Sequence, residues 1–146
     1  MRFSRLVDDI KITIKNMIND NNIQIKYDFS EIDEFLSFKS YLYSIFYNLI
    51  CNSIKYRQQQ VPGIINIKSQ LVKDKLQLVF TDNGMGIDLE KRGSQVFGLY
   101  KRFHNNIEGK GMGLFMVKTQ VETLGGKINI WSQVNKGTEF KIEFEI

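Results

Sequence analysis

The chain has 146 residues, of which 42% are hydrophobic and 12% aromatic, so it can bury the core of one domain. Its 20 Lys and Arg residues against 16 Asp and Glu give a formal charge of +4, which suits a phosphate-bearing ligand and argues against a nucleic-acid-binding protein. With one Cys and one His it has neither an internal disulfide nor a Cys/His zinc site, so oxygen atoms would have to hold any metal.

The composition also bears on the compartment. No run approaches the roughly 20 apolar residues needed to span a bilayer, and the N-terminus lacks the layout of a signal peptide. Cys51 falls within an apolar helical pattern and is expected to fill the core. A chain without disulfides suits a reducing compartment, so we expect a cytoplasmic domain that does not itself contact a membrane.

The first half of the chain predicts helix, strand, helix and a strand pair. Apolar residues at helical spacing predict a first helix over LVDDIKITIKNMIND, residues 6–20, and alternation over residues 23–29 predicts a strand exposed on one face. A second helix is predicted over FKSYLYSIFYNLICNSIKY, residues 38–56, with a broad apolar face. After Pro62-Gly63, residues 64–72 and 76–80 are predicted strands joined by a turn at Lys73-Asp74-Lys75.

The second half predicts a lid, a helix and two strands. The polar span 89–110 is too long for an ordinary connection and is interpreted as a lid. A third helix is predicted from Met112 to about Leu124, ended by Gly125-Gly126, followed by strands at 127–133 and 138–146. The prediction is therefore an α+β fold: a two-layer α/β sandwich in which three helices cover one face of a mixed sheet of about five strands.

Two glycine-rich stretches flank the predicted lid. TDNGMGID, residues 81–88, has the composition of a hairpin turn, but no alternating strand follows Gly86. EGKGMGLFMVK, residues 108–118, opens directly into the third helix, where free backbone N–H groups and the helix dipole favour an anion. The pair suggests a phosphate site with a mobile cover. It fits neither a dinucleotide fingerprint, because Leu114 replaces the last Gly, nor a Walker loop.

The second helix carries polar residues on one face. Asn48, Asn52 and Lys55 recur at steps of four and three. Two Asn residues on a core-facing helix are costly if they are unpaired. The spacing leaves two interpretations equally open, capping of neighbouring backbone or contact with a ligand.

Taken in order, the motifs resemble those of a known family. NLICNSIKY, DNGMGID, VFGLYKRF, GKGMGL and GGKINIWSQVNKGTEF resemble the N, G1, F, G2 and G3 boxes of histidine-kinase ATP-binding domains, within the Bergerat-fold (GHKL) superfamily of ATPases. The resemblance covers nearly the whole chain, and the lid is similar to that of phytochrome-like sensor kinases. It implies a single domain over residues 1–146 with the Bergerat ATP-binding fold, an ATP lid, and ATP and Mg²⁺ as cofactors.

The resemblance also implies residue roles. Asp82 would accept a hydrogen bond from the adenine amino group, Asn52 would ligate Mg²⁺, and Arg102 would reach from the lid to the terminal phosphate. The catalytic residues would be Asn48, Lys55 and Arg102. Arg102 could also be a solvated lid charge, and for Thr138 a structural hydroxyl is as expected as a ligand contact. The nucleotide-binding set would be Asn48, Asn52, Lys55, Tyr56, Asp82, Gly84, Gly86, Ile87, Lys101, Arg102, Gly109, Lys110, Gly111, Met112, Gly113, Leu114 and Thr138.

The departures from the family pattern bear on the reaction. Hydrolytic relatives carry a Glu base where this chain has Asn48, and an amide cannot take a proton from water, so the chain looks built to transfer phosphate. Ser53 and Lys110 replace the more usual Ala and Thr. We expect the phosphoacceptor dimerisation domain to be absent from these residues, and His104, in the lid segment, is expected to be an exposed loop residue.

The implied partners are ATP, the phosphoacceptor His domain of a parent kinase and a response-regulator receiver domain, without nucleic acid. Alone, the chain is expected to phosphorylate itself poorly. The alternatives are a non-catalytic nucleotide-binding or scaffold module and an anti-sigma-type serine kinase of the same fold. The sequence leaves open whether the parent protein is membrane-bound.

Overall fold

A computed structural model gives the fold of residues 1–92 and 112–146. In these ranges none of the helices is both long and apolar enough to cross a membrane. The helices are α1 (Phe3–Thr13), α2 (Lys15–Asp20), α3 (Lys39–Lys55), α4 (Leu89–Arg92) and α5 (Met112–Thr123). The strands are β1 (Ile23–Asp28), β2 (Gly63–Val72), β3 (Lys75–Asp82), β4 (Lys127–Gln133) and β5 (Gly137–Glu145).

The five strands form one mixed sheet in the order β1-β2-β3-β5-β4, with β1 parallel to β2 and the other pairs antiparallel. The register sets Phe80 of β3 opposite both Ile67 of β2 and Phe140 of β5. Alternate side chains point to one face, where they join the apolar faces of α1, α3 and α5 in a single core. The predicted α+β fold, with a mixed five-stranded sheet covered on one face, is confirmed.

The opposite side of the sheet is called the open face. Lys26, Asn66, Lys68, Val79, Thr81 and Glu139 line a groove on it. On this face Val79 pairs with Lys68 of β2 and Lys141 of β5. The open face is thus mainly polar and mixed in charge, as expected for an antiparallel sheet with one face in contact with solvent.

Helix α3 carries the apolar face that the sequence predicts. Its predicted core residues Leu42, Ile45, Phe46, Leu49 and Ile50 are all buried. The Phe46 ring stacks on Phe3 of α1 with 5.9 Å between ring centroids, and meets Phe80 edge-on at 5.0 Å. Cys51, expected in the core, is only half-buried at its edge. These contacts fix α3 across the sheet.

The single first helix predicted over residues 6–20 is wrong. The structure divides this segment into α1 and α2 at Ile14, where φ is −107° and ψ is 24°. Three β-branched residues in succession, Ile12, Thr13 and Ile14, crowd a helix, and the Thr13 hydroxyl donates to the Asp9 carbonyl at 3.0 Å, a bond that bends helices. The count of three helices is also too low, because α4 forms at the start of the predicted lid.

The turn and the helix end follow their predicted positions closely. Between β2 and β3, Lys73 and Asp74 have φ of 51° and 63°, the left-handed pair of a type I′ hairpin, while Lys75 already belongs to β3. At the end of α5 the Gly126 N–H donates to the Val121 carbonyl at 2.9 Å, and the Gly125 N–H donates to the Glu122 carbonyl at 3.0 Å. This is the Schellman pattern that the paired glycines predict.

Candidate functional site

A pocket opens where α3, the end of β3, the following loop, α5 and β5 meet. The residues that line it are Asn52, Tyr56, Asp82, Gly86, Ile87, Leu114 and Thr138. All seven belong to the nucleotide-binding set that the family resemblance implies, although they are spread over most of the chain. The structure therefore brings them together, while their individual roles stay predictions.

Among the described residues that line this pocket, Asp82 carries the one acidic group. Its Oδ2 accepts a hydrogen bond from the Ser53 hydroxyl at 2.7 Å, and its Oδ1 accepts one from the Gly84 N–H at 2.8 Å. Burial raises the pKa of Asp82 above its usual range, while the hydrogen bonds from Ser53, Gly84 and the Thr138 backbone act in the opposite direction. The carboxylate is thus held in a fixed orientation between three elements.

The segment after Asp82 is a loop. In the described chain it leads to α4 and not to a strand that pairs back on β3, so TDNGMGID does not form a hairpin turn. The Met85 N–H donates to the Tyr56 carbonyl at 2.8 Å, and the Asn135 N–H donates to the Met85 carbonyl at 2.7 Å. The loop is therefore fastened to the end of α3 on one side and to the β4–β5 turn on the other.

Gln58 adds a third attachment for this loop. Its Nε2 lies 3.1 Å from each of three backbone carbonyl oxygens, those of Asn83, Gly84 and Asn135. Asn83 itself is tied to β2, because its Oδ1 accepts from the Ile64 N–H at 2.8 Å. The loop is in this way positioned before any ligand arrives.

The two glycines of the loop allow close backbone contacts. A Cβ atom at Gly84 would lie 2.7 Å from the Tyr56 carbonyl oxygen and 2.8 Å from Asp82 Oδ1. Gly86 has φ of +73°, and a Cβ atom there would clash with the Gln133 carbonyl oxygen. A side chain at either position would displace the loop from the pocket.

Thr138 has a structural hydrogen bond as well as a place in the pocket wall. Its Oγ1 lies 2.8 Å from the Ser132 hydroxyl, which donates to the Gly137 carbonyl and accepts from the Ile87 N–H at 2.8 Å. Both interpretations left open by the sequence therefore have support.

The spacing of the polar residues on α3 left two interpretations open, a hydrogen bond to neighbouring backbone or contact with a ligand, and in the structure one residue makes such a hydrogen bond and another lines the pocket. Asn48 donates from Nδ2 to the Ser44 carbonyl at 2.8 Å, and its Oδ1 faces the start of α5, 3.5 Å from the position of a Cβ atom at Gly113. Asn52 lines the pocket. Lys55 is exposed in the last turn of α3 and does not line the pocket, so the structure does not bring it to the site.

Several expected site residues lie outside the described residues. These are Lys101, Arg102, Gly109, Lys110 and Gly111, together with His104 and most of the predicted lid. Met112 begins α5, and Leu114, two residues further along, is buried and lines the pocket.

Sequence reasoning missed three residues that organise the site, namely Ser53, Gln58 and Ser132. Ser53 replaces the Ala that the family resemblance leads one to expect, and its position four after Leu49 and three after Ile50 puts a polar side chain on the apolar face of α3. That was the available signal. Gln58 and Ser132 carry no such signal, because their partners lie on other elements.

Comparison with known proteins places this pocket in a family. Residues 39–146 match the family described as "Histidine kinase-, DNA gyrase B-, and HSP90-like ATPase". "Cyanobacterial phytochrome A" of Nostoc sp. (strain PCC 7120 / SAG 25.82 / UTEX 2576) is 36% identical over 101 residues, which cover 68% of this chain and 13% of that protein. "Sensor protein RprX" of Bacteroides fragilis (strain YCH46) is 31% identical over 103 residues, covering 68% of this chain and 20% of that protein. The chain thus spans a fifth or less of these relatives.

Solved structures share the fold at lower identity. The nucleotide-free catalytic domain of histidine kinase ThkA has a TM-score of 0.80 and 21% identity, covering 99% of this chain and 93% of that one. Acinetobacter baumannii histidine kinase AdeS also has a TM-score of 0.80 and 21% identity, covering 99% of this chain and 65% of that one. Since the matched family spans α3 to β5 and therefore every wall of the pocket, the chain belongs to the histidine kinase-, DNA gyrase B- and HSP90-like ATPases, as a catalytic domain of the histidine-kinase type.

Proposed function

We propose that the pocket binds ATP with Mg²⁺ and that the chain donates the terminal phosphate to a histidine on a separate domain. The observation that carries this proposal is the buried Asp82 carboxylate, fixed by donors on both oxygens in the pocket wall. An ionised carboxylate only accepts hydrogen bonds, so it matches the exocyclic amino group of adenine. Guanine presents a carbonyl oxygen at the equivalent position, which would leave two acceptors facing each other.

The remaining pocket residues suit the base and its ribose. Ile87 and Leu114 offer apolar surface to a flat ring, and Tyr56 adds an aromatic side chain. The base would lie against the loop backbone at Gly84 and Gly86, which the lack of side chains lets pack closely on the Tyr56 and Gln133 carbonyls. Thr138 completes this wall beside Asp82.

The phosphates would extend from the base toward the start of α5. A helix of this length leaves its first backbone N–H groups free for an anion, and Gly113 places no side chain between this first turn and Asn48 Oδ1. We propose that Gly109, Lys110 and Gly111, which lie outside the described residues, wrap the phosphates together with the Met112 backbone at the start of α5. Lys101 and Arg102 would reach the terminal phosphate, where a guanidinium can pair with two oxygens.

The donor set near the phosphates suits Mg²⁺ as the metal. Among the described residues there is no cluster of three or more His, Cys, Asp or Glu side chains that could hold a metal alone. A single amide oxygen from Asn52 fits Mg²⁺, which keeps water and phosphate oxygens as its other ligands. When bound, Mg²⁺ neutralises phosphate charge. Lys55, exposed on the same helix, would contribute only as a point charge near the phosphates.

Asn48 supports transfer over hydrolysis. Its amide directs Oδ1 toward the start of α5, and an amide oxygen cannot serve as a general base for water. The acceptor is then proposed to be a histidine on the parent kinase, with a response-regulator receiver domain as the later recipient. The match of residues 39–146 to a family that includes histidine kinases supports an acceptor of this kind. We place this reaction in the cytoplasm, where ATP is available, without nucleic-acid or membrane contact by this domain.

Replacing Asp82 tests the adenine contact. Asp82→Asn should weaken binding of ATP with Mg²⁺ by about 2 kcal/mol, roughly 30-fold in Kd, because an amide NH₂ would oppose one of the donors and the charge is lost. The measurement is calorimetric titration, with GTP as the second ligand. Asp28→Asn, at the exposed end of β1, is the matched control and should bind like wild type. Wild-type affinity in Asp82→Asn, or equal binding of GTP, would contradict the proposal.

Gly86 and Gly125 both have positive φ, so Ala variants at the two positions distinguish the effect of the loop's shape from that of backbone strain. Gly86→Ala and Gly125→Ala both place Ala at positive φ, and this strain alone should lower the free energy of unfolding of each variant by about 1 kcal/mol. The clash of a Cβ atom at Gly86 with the Gln133 carbonyl should add to the loss there. Only Gly86 faces a clash, since a Cβ at Gly125 meets nothing within 4 Å. Gly86→Ala should therefore lose most of its ATP affinity while Gly125→Ala keeps it. Urea unfolding and ATP titration of both variants check this, and ATP binding by Gly86→Ala at wild-type affinity would count against the loop's role.

Phosphate transfer is tested with an added acceptor. The chain is mixed with radiolabelled ATP, Mg²⁺ and a helical hairpin bearing the phosphoacceptor histidine of a related sensor kinase. Acid-labile label on the hairpin, absent when the hairpin lacks its histidine, is the expected result. Acid-stable label on a protein would indicate a serine kinase instead, and ATP binding without any transfer to a set of such hairpins would favour the scaffold module.

A further inference from the structure

Ser53 makes an unusual bond for a serine within a helix. Such hydroxyls commonly donate to the carbonyl one turn earlier in the same helix. Ser53 is only 7% exposed on the sheet side of α3, and its hydroxyl donates across to Asp82 Oδ2 at 2.7 Å. The bond thus joins the helix layer to the end of β3.

This hydroxyl completes the fixation of the carboxylate. Oδ1 is held by the Gly84 N–H at 2.8 Å, and the Thr138 backbone also donates to the group. With a donor on each oxygen, rotation of the carboxylate breaks at least one hydrogen bond. Among the described residues that donate to Asp82, Ser53 donates from its side chain, whereas Gly84 and Thr138 donate from the backbone. The Ser53 donor can therefore be removed by substitution without altering the backbone.

We propose that Ser53 is a positioning residue for base recognition, whose hydroxyl holds the Asp82 carboxylate in the orientation that the adenine contact requires. This inference rests on the proposed function of the pocket. An acceptor that is oriented before the ligand arrives loses less entropy on binding.

The surroundings of Asp82 explain why one hydroxyl carries weight. The groups that act most strongly on the carboxylate are uncharged: Ser53 on α3, the Gly84 N–H in the loop and the Thr138 backbone on β5. From α5 the pocket receives the apolar Leu114. Burial opposes ionisation, and the hydrogen bonds favour it. Removing the Ser53 hydroxyl leaves burial less opposed, so the pKa of Asp82 should rise.

The test begins without nucleotide. Carboxyl carbon NMR of Asp82 is followed against pH in the wild-type chain, Ser53→Ala and Ser69→Ala. Ser69 is the matched control, a buried serine on β2 whose hydroxyl donates to the Ile32 carbonyl away from the pocket. Ser53→Ala should raise the pKa of Asp82 and Ser69→Ala should not. Ser53→Thr, which keeps the hydroxyl, should return the wild-type value.

ADP titration with Mg²⁺ then links the carboxylate to binding. At pH values below both pKa values, Ser53→Ala should lose ADP affinity about tenfold for each pH unit by which the pKa of Asp82 rises. A smaller loss should persist at pH values above both, where the carboxylate is ionised but no longer held by the Ser53 hydroxyl. The ratio of the ADP affinities of Ser53→Ala and Ser69→Ala at each pH removes the effect of phosphate protonation, which is common to both variants. An unchanged pKa of Asp82 in Ser53→Ala, or unchanged ADP affinity, would overturn the inference. Absence of ADP binding by the wild type would overturn the proposed function, and the NMR titration alone would then decide whether Ser53 controls the carboxylate.

Discussion

A carboxylate buried between a helix layer and a sheet has to be hydrogen-bonded, and the rest of this site is arranged around that requirement. Asp82 ends β3, and its donors come from α3, from the adjacent loop and from β5. None of these elements can move far without leaving a buried acceptor unsatisfied. The position of the pocket is thus fixed by the same bonds that solvate the charge.

Helix α3 serves both the core and the site. Its buried aromatic residue Phe46 locks the helix onto α1 and the sheet, while Ser53, Asn52 and Asn48 on its later turns face Asp82, the pocket and the start of α5. Because packing sets the rotation of the helix, the polar residues require no separate scaffold. A ligand would meet groups that are already in place, which lowers the cost of ordering them on binding.

Much of the architecture follows from local sequence rules. Period-two alternation located the strands, helical spacing located α3 and α5, and the Gly125-Gly126 pair marked the end of α5. The ordered motifs, through the family they resemble, predicted all seven residues that line the pocket. The division at Ile14 was missed because helical periodicity continues through it, while β-branched crowding and the Thr13 hydroxyl disrupt the backbone.

The hydrogen bonds that hold the pocket residues in place could not be predicted from the sequence, for a different reason. Gln58 bonds to a carbonyl 77 residues away, and Ser53 to a carboxylate 29 residues away. Such pairs depend on how elements pack, which spacing along the chain does not encode. Lys55 is the opposite case. Its spacing along α3 predicts a place at the site, but in the structure its side chain is exposed to solvent.

Amide NMR of the ¹⁵N-labelled wild-type chain during titration with ATP and Mg²⁺ reveals whether the nucleotide binds in the pocket beside Asp82. We expect the signals of Gly84, Gly86 and Thr138 to shift with a common Kd, while those of Lys68 and Lys141 on the open face stay in place. Shifts confined to the open face, with the Gly84 and Gly86 signals unchanged at saturation, would contradict this expectation.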